Sequence, residues 1–241
     1  MLADITKELT ALKLGAMATR LRDWVADPVN QSRSHLECVS ALMLAQSQSR
    51  VNKRARAFLC KSDLPLAAST AGFRGSGKRG LPAQTLANLS TCEWVGSGHA
   101  VVITGPSYSG KTYLAAALAR EAVLGGLSTV YWRLPQLLTA CTIEKQKSES
   151  ALAHFLRATH KPKLLVLDDF AIERLTREQC YLARQILDAR ARHNRALMVV
   201  SATALDGWAR YFSDAGSADA IFARVMCRHH HIELKALRAN A

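Results

Sequence analysis

The segment from Gly105 to Thr112, with the sequence GPSYSGKT, constrains the fold of this chain more than any other part of it. It matches the pattern G-x-x-x-x-G-K-[ST] in full, follows a short apolar run and opens a run with helical periodicity. Glycines at both ends permit a tight loop whose N–H groups point inward, and a helix start adds partial positive charge there. The pattern therefore predicts a phosphate-binding loop, here called the P-loop, in an α/β fold.

The chemistry of the P-loop predicts that ATP and Mg²⁺ bind here. Lys111 is expected to reach the β- and γ-phosphates, where it also acts as a catalytic residue, and the Thr112 hydroxyl is expected to ligate Mg²⁺. The residues expected to contact the nucleotide form one continuous stretch: Gly105, Pro106, Ser107, Tyr108, Ser109, Gly110, Lys111 and Thr112.

A second apolar run, Leu164–Leu167, ends in the acidic pair Asp168 and Asp169. Parallel strands present their carboxyl ends at the ligand-binding edge of a sheet, so Asp168 can hold Mg²⁺, directly or through water. Asp169 can orient or deprotonate the attacking water. An apolar run that ends in aspartate can also be a simple helix cap, and the pairing with the P-loop favours the catalytic interpretation.

Short apolar runs alternate with longer helical patterns after residue 99, which indicates a parallel sheet covered by helices on both faces. Strands are predicted at Ala100–Ile103, Thr129–Trp132, Leu164–Leu167, Leu197–Val200 and near Ile232–Leu234. Helices are predicted at 82–95, Lys111–Leu124, within 134–158, at Arg177–His193 and within 217–226.

Amphipathic helical periodicity covers residues 2–26 and 34–60, interrupted at Asp27 and Pro28. A glycine-rich stretch at 62–80 is typical of a linker. These patterns predict a small helical domain at residues 1–75 and an ATPase domain at residues 76–241.

The charge of the chain favours a polyanionic partner. Lys and Arg number 32 against 19 acidic residues, which gives a formal net charge of +13 and a pI near 9.8. The excess is densest before residue 90, where one predicted helix carries Arg50, Lys53, Arg54 and Arg56. We expect these four side chains to contact the backbone of duplex DNA; a solvated charged face is the alternative.

Two further sets of polar residues are candidates for the nucleotide site. Ser201 and Thr203 follow the predicted strand Leu197–Val200, where a polar side chain can sense the γ-phosphate, although such hydroxyls also cap helices. Arg224 can stabilise transition-state charge on the ATP of a neighbouring subunit, although an arginine in so basic a chain can also be a surface residue.

Several classes of protein are not indicated. The six cysteines form no close pairs, so reduced thiols are expected, and the run His229–His231 cannot direct three rings at one metal from a strand. No apolar stretch approaches the length of a membrane helix, and the first residues do not have the pattern of a secretion signal. We therefore expect a cytoplasmic protein.

These motifs, in this order, resemble the IstB/DnaC-like branch of AAA+ ATPases, and most closely the IstB-type transposition helpers of bacterial insertion sequences. Besides the P-loop and the acidic pair, the resemblance covers segments along nearly the whole chain: Leu12–Leu21, Gly80–Leu81 with Glu93–Val95, Asp206–Trp208 and Asp219–Arg224.

The resemblance implies an AAA+ P-loop core and ATP-dependent assembly as a homo-oligomer on duplex DNA, with recruitment or activation of a partner transposase. It also implies that Arg224 acts in trans. Ala202 stands where the family usually has Asn or Gln, and Asp169 stands where insertion-sequence helpers often have Glu. These departures predict slow hydrolysis.

Two alternatives to the transposition helper remain. A DnaC-like loader of a replicative helicase would grip its helicase through the N-terminal region and have little affinity for duplex DNA. A small-molecule kinase could share the P-loop, but the chain has no obvious lid over an acceptor and more positive charge than small substrates require.

Overall fold

The structure, a computed structural model, describes residues 1–61 and 68–236, without the side chains of residues 31 and 59–61. Contacts divide the chain into two units, Met1–Arg56 and Ala57–Ala241. Phe73, which precedes the boundary placed by the sequence at residue 75, is buried in a core of the second unit. The domain division at residue 75 stays a prediction.

Three helices account for most of the first unit: α1 (Leu2–Ala11), α2 (Gly15–Ala26) and α3 (His35–Lys61). The helical pattern at 2–26 is therefore two helices, because Lys13 adopts a left-handed φ of 62° that a continuous helix cannot contain. The interruption at Pro28 is confirmed as a 3₁₀ turn, Pro28–Ser32. Ser34 and Glu37 then exchange hydrogen bonds in a capping box that begins α3.

The second unit contains a five-stranded parallel sheet in the order β2-β3-β4-β1-β5. Its strands are β1 (Ala100–Thr104), β2 (Thr129–Arg133), β3 (Leu164–Asp168), β4 (Ala196–Ser201) and β5 (His229–Glu233). The predicted parallel sheet is confirmed, and β4 is the strand between the P-loop strand and the strand that ends in Asp168. The last strand begins three residues earlier than the sequence suggested.

Helices cover both faces of this sheet. They are α4 (Ala83–Ser90), α5 (Glu93–Gly96), α6 (Lys111–Leu124), α7 (Leu134–Lys147), α8 (Glu149–His160), α9 (Arg177–Arg192) and α10 (Ala215–Val225). The predicted helix at 82–95 is two short helices, because Cys92 has a left-handed φ of 58°. Alternate strand residues enter opposite cores: Val102 and Val199 pack on one face, Val101 and Met198 on the other. This explains why the strands are apolar throughout.

Parallel pairing gives the sheet two chemically distinct edges. All five strands end at one edge, which the P-loop follows, and all five begin at the other. The run His229–His231 lies in β5, where side chains alternate, and no cluster of three metal-ligating residues occurs in the described ranges. The five cysteines whose side chains are described are free, as predicted, and Cys60 lies outside that set. Among described helices, none has the length and apolarity needed to cross a bilayer.

Candidate nucleotide-binding site

The P-loop connects β1 to α6 in a conformation that requires glycine at both ends. Gly105 has a φ of 143° and Gly110 a φ of 92°. A Cβ atom at Gly105 would lie 2.2 Å from the carbonyl oxygen of Leu234. At the tip, Tyr108 is 99% exposed. The loop therefore has the open, glycine-dependent turn at a helix start that phosphate binding needs.

Lys111 lies across the P-loop. Its Nζ donates a hydrogen bond of 2.8 Å to the Pro106 carbonyl, so the ammonium group is held against the backbone of the turn. Burial lowers the pKa of Lys111, and the carboxylates of Asp168 and Asp169 partly offset this effect. The position allows the ammonium group to bind phosphate oxygens that enter the loop.

Thr112 and Asp168, the two predicted Mg²⁺ ligands, meet although they are far apart in the sequence. The Thr112 Oγ1 donates to Asp168 Oδ2 at 3.0 Å, and the Asp168 side chain is buried at the end of β3. The Tyr131 hydroxyl donates to the same carboxylate oxygen at 3.0 Å, and the Asp169 N–H donates to the other oxygen at 2.8 Å. A hydroxyl and a carboxylate beside a phosphate loop are the hard oxygen ligands that suit Mg²⁺.

Asp169 faces the same edge but is more accessible than Asp168. Its φ of 55° turns the chain sharply after β3, and its carboxylate lies 3.6 Å from the Nε of Arg133. Burial and the charge of Asp168 raise the pKa of Asp169, whereas Arg133 and Lys111 lower it. A partly exposed carboxylate with a raised pKa has the character of a general base.

The hydroxyls of Ser201 and Thr203 fasten the turn that carries the acidic pair. Ser201 Oγ donates to the Phe170 carbonyl at 2.6 Å, and Thr203 Oγ1 donates to the Ala171 carbonyl at 3.1 Å. Trp208 is buried against Phe170 and donates to the Thr203 carbonyl. These bonds support a positioning role for Ser201, and its contact with a nucleotide stays a prediction.

Arg224 is not brought to the P-loop of its own chain. It lies near the end of α10, where it forms an ion pair with Asp188 of α9. Three residues after α10, the Arg228 carbonyl accepts a hydrogen bond from Ala100, the first residue of β1. The P-loop follows the last residue of β1, about 13 Å further along the strand. Arg224 therefore lies near the edge where the strands begin, and a role for it in trans stays a prediction.

Three residues at the site were not identified from the sequence as nucleotide-site residues. Tyr131 and Arg133 lie two positions apart on β2, so they share a face and reach Asp168 and Asp169 respectively. Arg79 donates to the Ser109 carbonyl of the P-loop and packs on the Phe73 ring. The sequence indicated only that Tyr131 and Arg133, two positions apart in a predicted strand, would lie on the same face. That face reaches Asp168 and Asp169 because β2 is the neighbour of β3, which the sequence did not show.

The basic cluster predicted to contact DNA lies on α3 in the first unit. Arg50, Lys53, Arg54 and Arg56 are all exposed, and none forms an ion pair with a described residue. Arg50 and Arg54 line a hollow of about 440 Å³ with the apolar residues Leu14, Met17 and Met43. The cluster is available to an anionic partner, and its contact with DNA stays a prediction.

Three features define a P-loop nucleotide-binding protein of the AAA+ class. They are a parallel sheet with β4 inserted between β1 and β3, a P-loop after β1 and an acidic pair at the end of β3. The sequence matches the family described as IstB-like ATP binding protein over residues 7–238. The chain belongs to this IstB-like family.

Individual proteins agree with this assignment. The chain is 26% identical to a predicted insertion sequence ATP-binding protein of Sinorhizobium fredii, over 100% of this chain and 98% of that protein. It is 25% identical to a predicted ATP-binding protein in an insertion sequence of Mycobacterium tuberculosis, over 93% and 88% of the two chains. The crystal structure of the DnaC helicase loader is similar in fold, with a TM-score of 0.55 and 17% identity, over 70% of this chain and 97% of that one.

Proposed function

We propose that this chain hydrolyses ATP with Mg²⁺, assembles as a homo-oligomer on duplex DNA and there recruits or activates a partner transposase. The observation that carries the proposal is the meeting of Thr112 and Asp168 beside a complete P-loop, in a chain of the IstB-like family. The chain matches two relatives named as insertion sequence proteins over nearly their whole length, which supports the role in transposition.

Each residue of the site has a role in the proposed hydrolysis. Lys111 and the P-loop N–H groups bind the phosphate oxygens, and Thr112 and Asp168 would hold Mg²⁺, which offsets phosphate charge when bound. Tyr131 fixes the orientation of Asp168 through its hydrogen bond. Asp169 accepts a proton from the attacking water.

The contact between Arg133 and Asp169 supports the expectation of slow turnover. The ion pair holds the carboxylate toward β2, and Arg133 partly offsets the rise in the pKa of Asp169 that burial and Asp168 cause. Efficient hydrolysis then requires the pair to open. Assembly would also supply Arg224 of one chain to the nucleotide of the next, since it lies far from its own P-loop.

Duplex DNA is the proposed polyanion. The net charge of +13 and the exposed cluster of Arg50, Lys53, Arg54 and Arg56 support contacts with the phosphate backbone. The helicase-loader alternative gains no support from the likeness to DnaC, because at 17% identity that likeness shows the fold alone.

Sizing the purified chain with ATP and Mg²⁺, with duplex DNA, and with all three tests this proposal. Multimers are expected only when nucleotide and DNA are both present, and raising the salt concentration should disperse them because phosphate contacts release counterions. Lys111→Ala is the matched control that should stay unassembled. A wild-type chain that remains monomeric with ATP, Mg²⁺ and DNA together would refute the proposal; a stable complex with a replicative helicase, with no affinity for duplex DNA, would support the loader instead.

A further inference from the structure

A pocket lined by both apolar and basic side chains lies at the edge where the strands begin, opposite to the P-loop. It encloses about 280 Å³, and four arginines line it: Arg190, Arg195, Arg224 and Arg228. No described acidic residue lines it. Asp188 pairs with Arg224, so the other three guanidinium groups have no carboxylate partner among the described residues.

Two guanidinium donors of this strand-start pocket are buried without an acceptor. Arg190 is 2% exposed, and its terminal nitrogens donate to carbonyls of Thr159, Pro162 and Lys163. The Nε atoms of Arg190 and Arg195 remain without a partner in the described part of the chain. A buried donor left unpaired costs about 1–3 kcal/mol, so an anionic oxygen in the pocket would remove a penalty.

Arg195 and Arg228 of the pocket belong to a row of four basic backbone positions at the start of the sheet, of which Lys163 and His99 lie outside the lining of the pocket. Lys163, Arg195, His99 and Arg228 each immediately precede a strand, and the four strands β3, β4, β1 and β5 are neighbours in that order. Backbone hydrogen bonds tie the row together, from Ala196 to the Lys163 carbonyl and from Ala100 to the Arg228 carbonyl, both at 3.0 Å. Neighbouring strands lie about 4.8 Å apart, so the row extends for about 14 Å.

A purely structural role explains only part of this arrangement. Cations are favoured near the carbonyl ends of helices such as α9 and α10, and the carbonyl contacts of Arg190 fit that explanation. Arg195 and Arg228 make no side-chain hydrogen bond to a described acceptor. Guanidinium groups match phosphate oxygens in charge and in planar geometry.

We propose that the strand-start pocket binds a phosphate of a duplex DNA backbone, through Arg195 and Arg228, with the basic row continuing the contact. The choice of DNA as the ligand rests on the proposed function. The pocket would be a DNA-contacting surface in the second unit, in addition to the basic cluster on α3 in the first unit. A linear polyanion suits a row of basic residues better than a single small anion does.

The pair of substitutions Arg195→Gln and Arg228→Gln tests the proposal, with Arg190 retained because its carbonyl contacts support the fold. The matched control is Arg174→Gln with Arg177→Gln, which removes the same charge from exposed residues outside the pocket. Affinity for a labelled duplex is measured without nucleotide over a series of salt concentrations. Loss of two phosphate contacts should weaken binding at low salt by at least about 10-fold and reduce the slope of log affinity against log salt by about 2.

An equal loss of affinity in the control pair would overturn the proposal, because net charge alone would then explain it. A second result would also overturn the proposal: normal DNA binding by the pocket variant, together with loss of the part of its ATP turnover that rises with protein concentration. The pocket would then bind a phosphate of a nucleotide held by a second copy of the chain. A titration of ¹⁵N-arginine-labelled wild-type chain with inorganic phosphate separates this result from a failure of the proposed function. A shift of the Arg195 Nε resonance supports the phosphate site even if duplex affinity is low, and an unperturbed resonance contradicts it.

Discussion

The two edges of the sheet carry opposite chemistry although the same five strands form both. At the edge where the strands end, Asp168 and Asp169 lie beside Lys111 and the P-loop, so each charge has a partner of opposite sign. At the edge where they begin, Arg190, Arg195 and Arg228 lie together without a described carboxylate among them. The charges of the first edge suit the proposed complex of Mg²⁺ and ATP, which carries both signs of charge, whereas those of the second suit an anion alone.

The two edges also differ in how accessible their charged side chains are. At the nucleotide edge Asp168 is buried at a strand end, whereas Asp169 and Arg133 remain partly accessible and can exchange partners. Arg190 at the other edge is buried and donates to carbonyls of three segments: α8, the loop before β3 and the start of β4. Substitutions at the two edges should therefore change different measured quantities.

The largest effect is expected for Asp169→Asn, which keeps the shape of the side chain but removes the proton acceptor. Turnover should fall by about 10²–10⁴-fold, the usual contribution of a general base, while the Kd for ATP changes little. Steady-state phosphate release and a nucleotide titration on the same variant measure both quantities.

Glu173→Gln is the control for Asp169→Asn. Glu173 is exposed on the segment after Asp169, has no described ion pair and should tolerate the change with turnover intact. Normal turnover by Asp169→Asn would show that another group is the general base. Asp169 would then have no catalytic role that distinguishes it from Asp168.

A smaller effect, and one on stability, is expected for Arg190→Leu. The carbonyls of Thr159, Pro162 and Lys163 would lose their donor in a buried place, and the free energy of unfolding should fall by on the order of 3 kcal/mol. Denaturant unfolding measures this loss. Arg192→Leu, at an exposed position on the same helix, should change stability by less than about 0.5 kcal/mol. Equal stability of the two variants would contradict the structural role of Arg190.

The sequence predicted the parallel sheet, its two-sided cover and the approach of Thr112 to Asp168, because each follows from a local pattern or from parallel strand polarity. It did not predict the breaks at Lys13 and Cys92, where non-glycine residues adopt left-handed backbone that no local pattern announces. Nor could it place Tyr131 beside Asp168. That contact depends on which strands are neighbours, and strand order is decided by packing of the whole sheet.

The same reasoning explains why Arg190 and the basic row were not predicted. Lys163, Arg195, His99 and Arg228 are scattered along the sequence and become a row only when four strands align. Arg190 has ordinary helical surroundings in the sequence, and its burial depends on the loop before β3 folding over it. Local motifs in the sequence identified the residues of the nucleotide edge. The basic residues of the opposite edge come together only through the order of the strands in the sheet.

The most direct test of the account is a calorimetric titration of the wild-type chain and Lys111→Ala with ATP, each with and without Mg²⁺. Losing the ammonium contact should remove about 2–3 kcal/mol of binding free energy, which corresponds to a Kd increased by roughly 30- to 150-fold. The wild-type chain should bind more tightly with Mg²⁺, through Thr112 and Asp168. Equal affinity of the two proteins for ATP would contradict the assignment of the P-loop as the phosphate site.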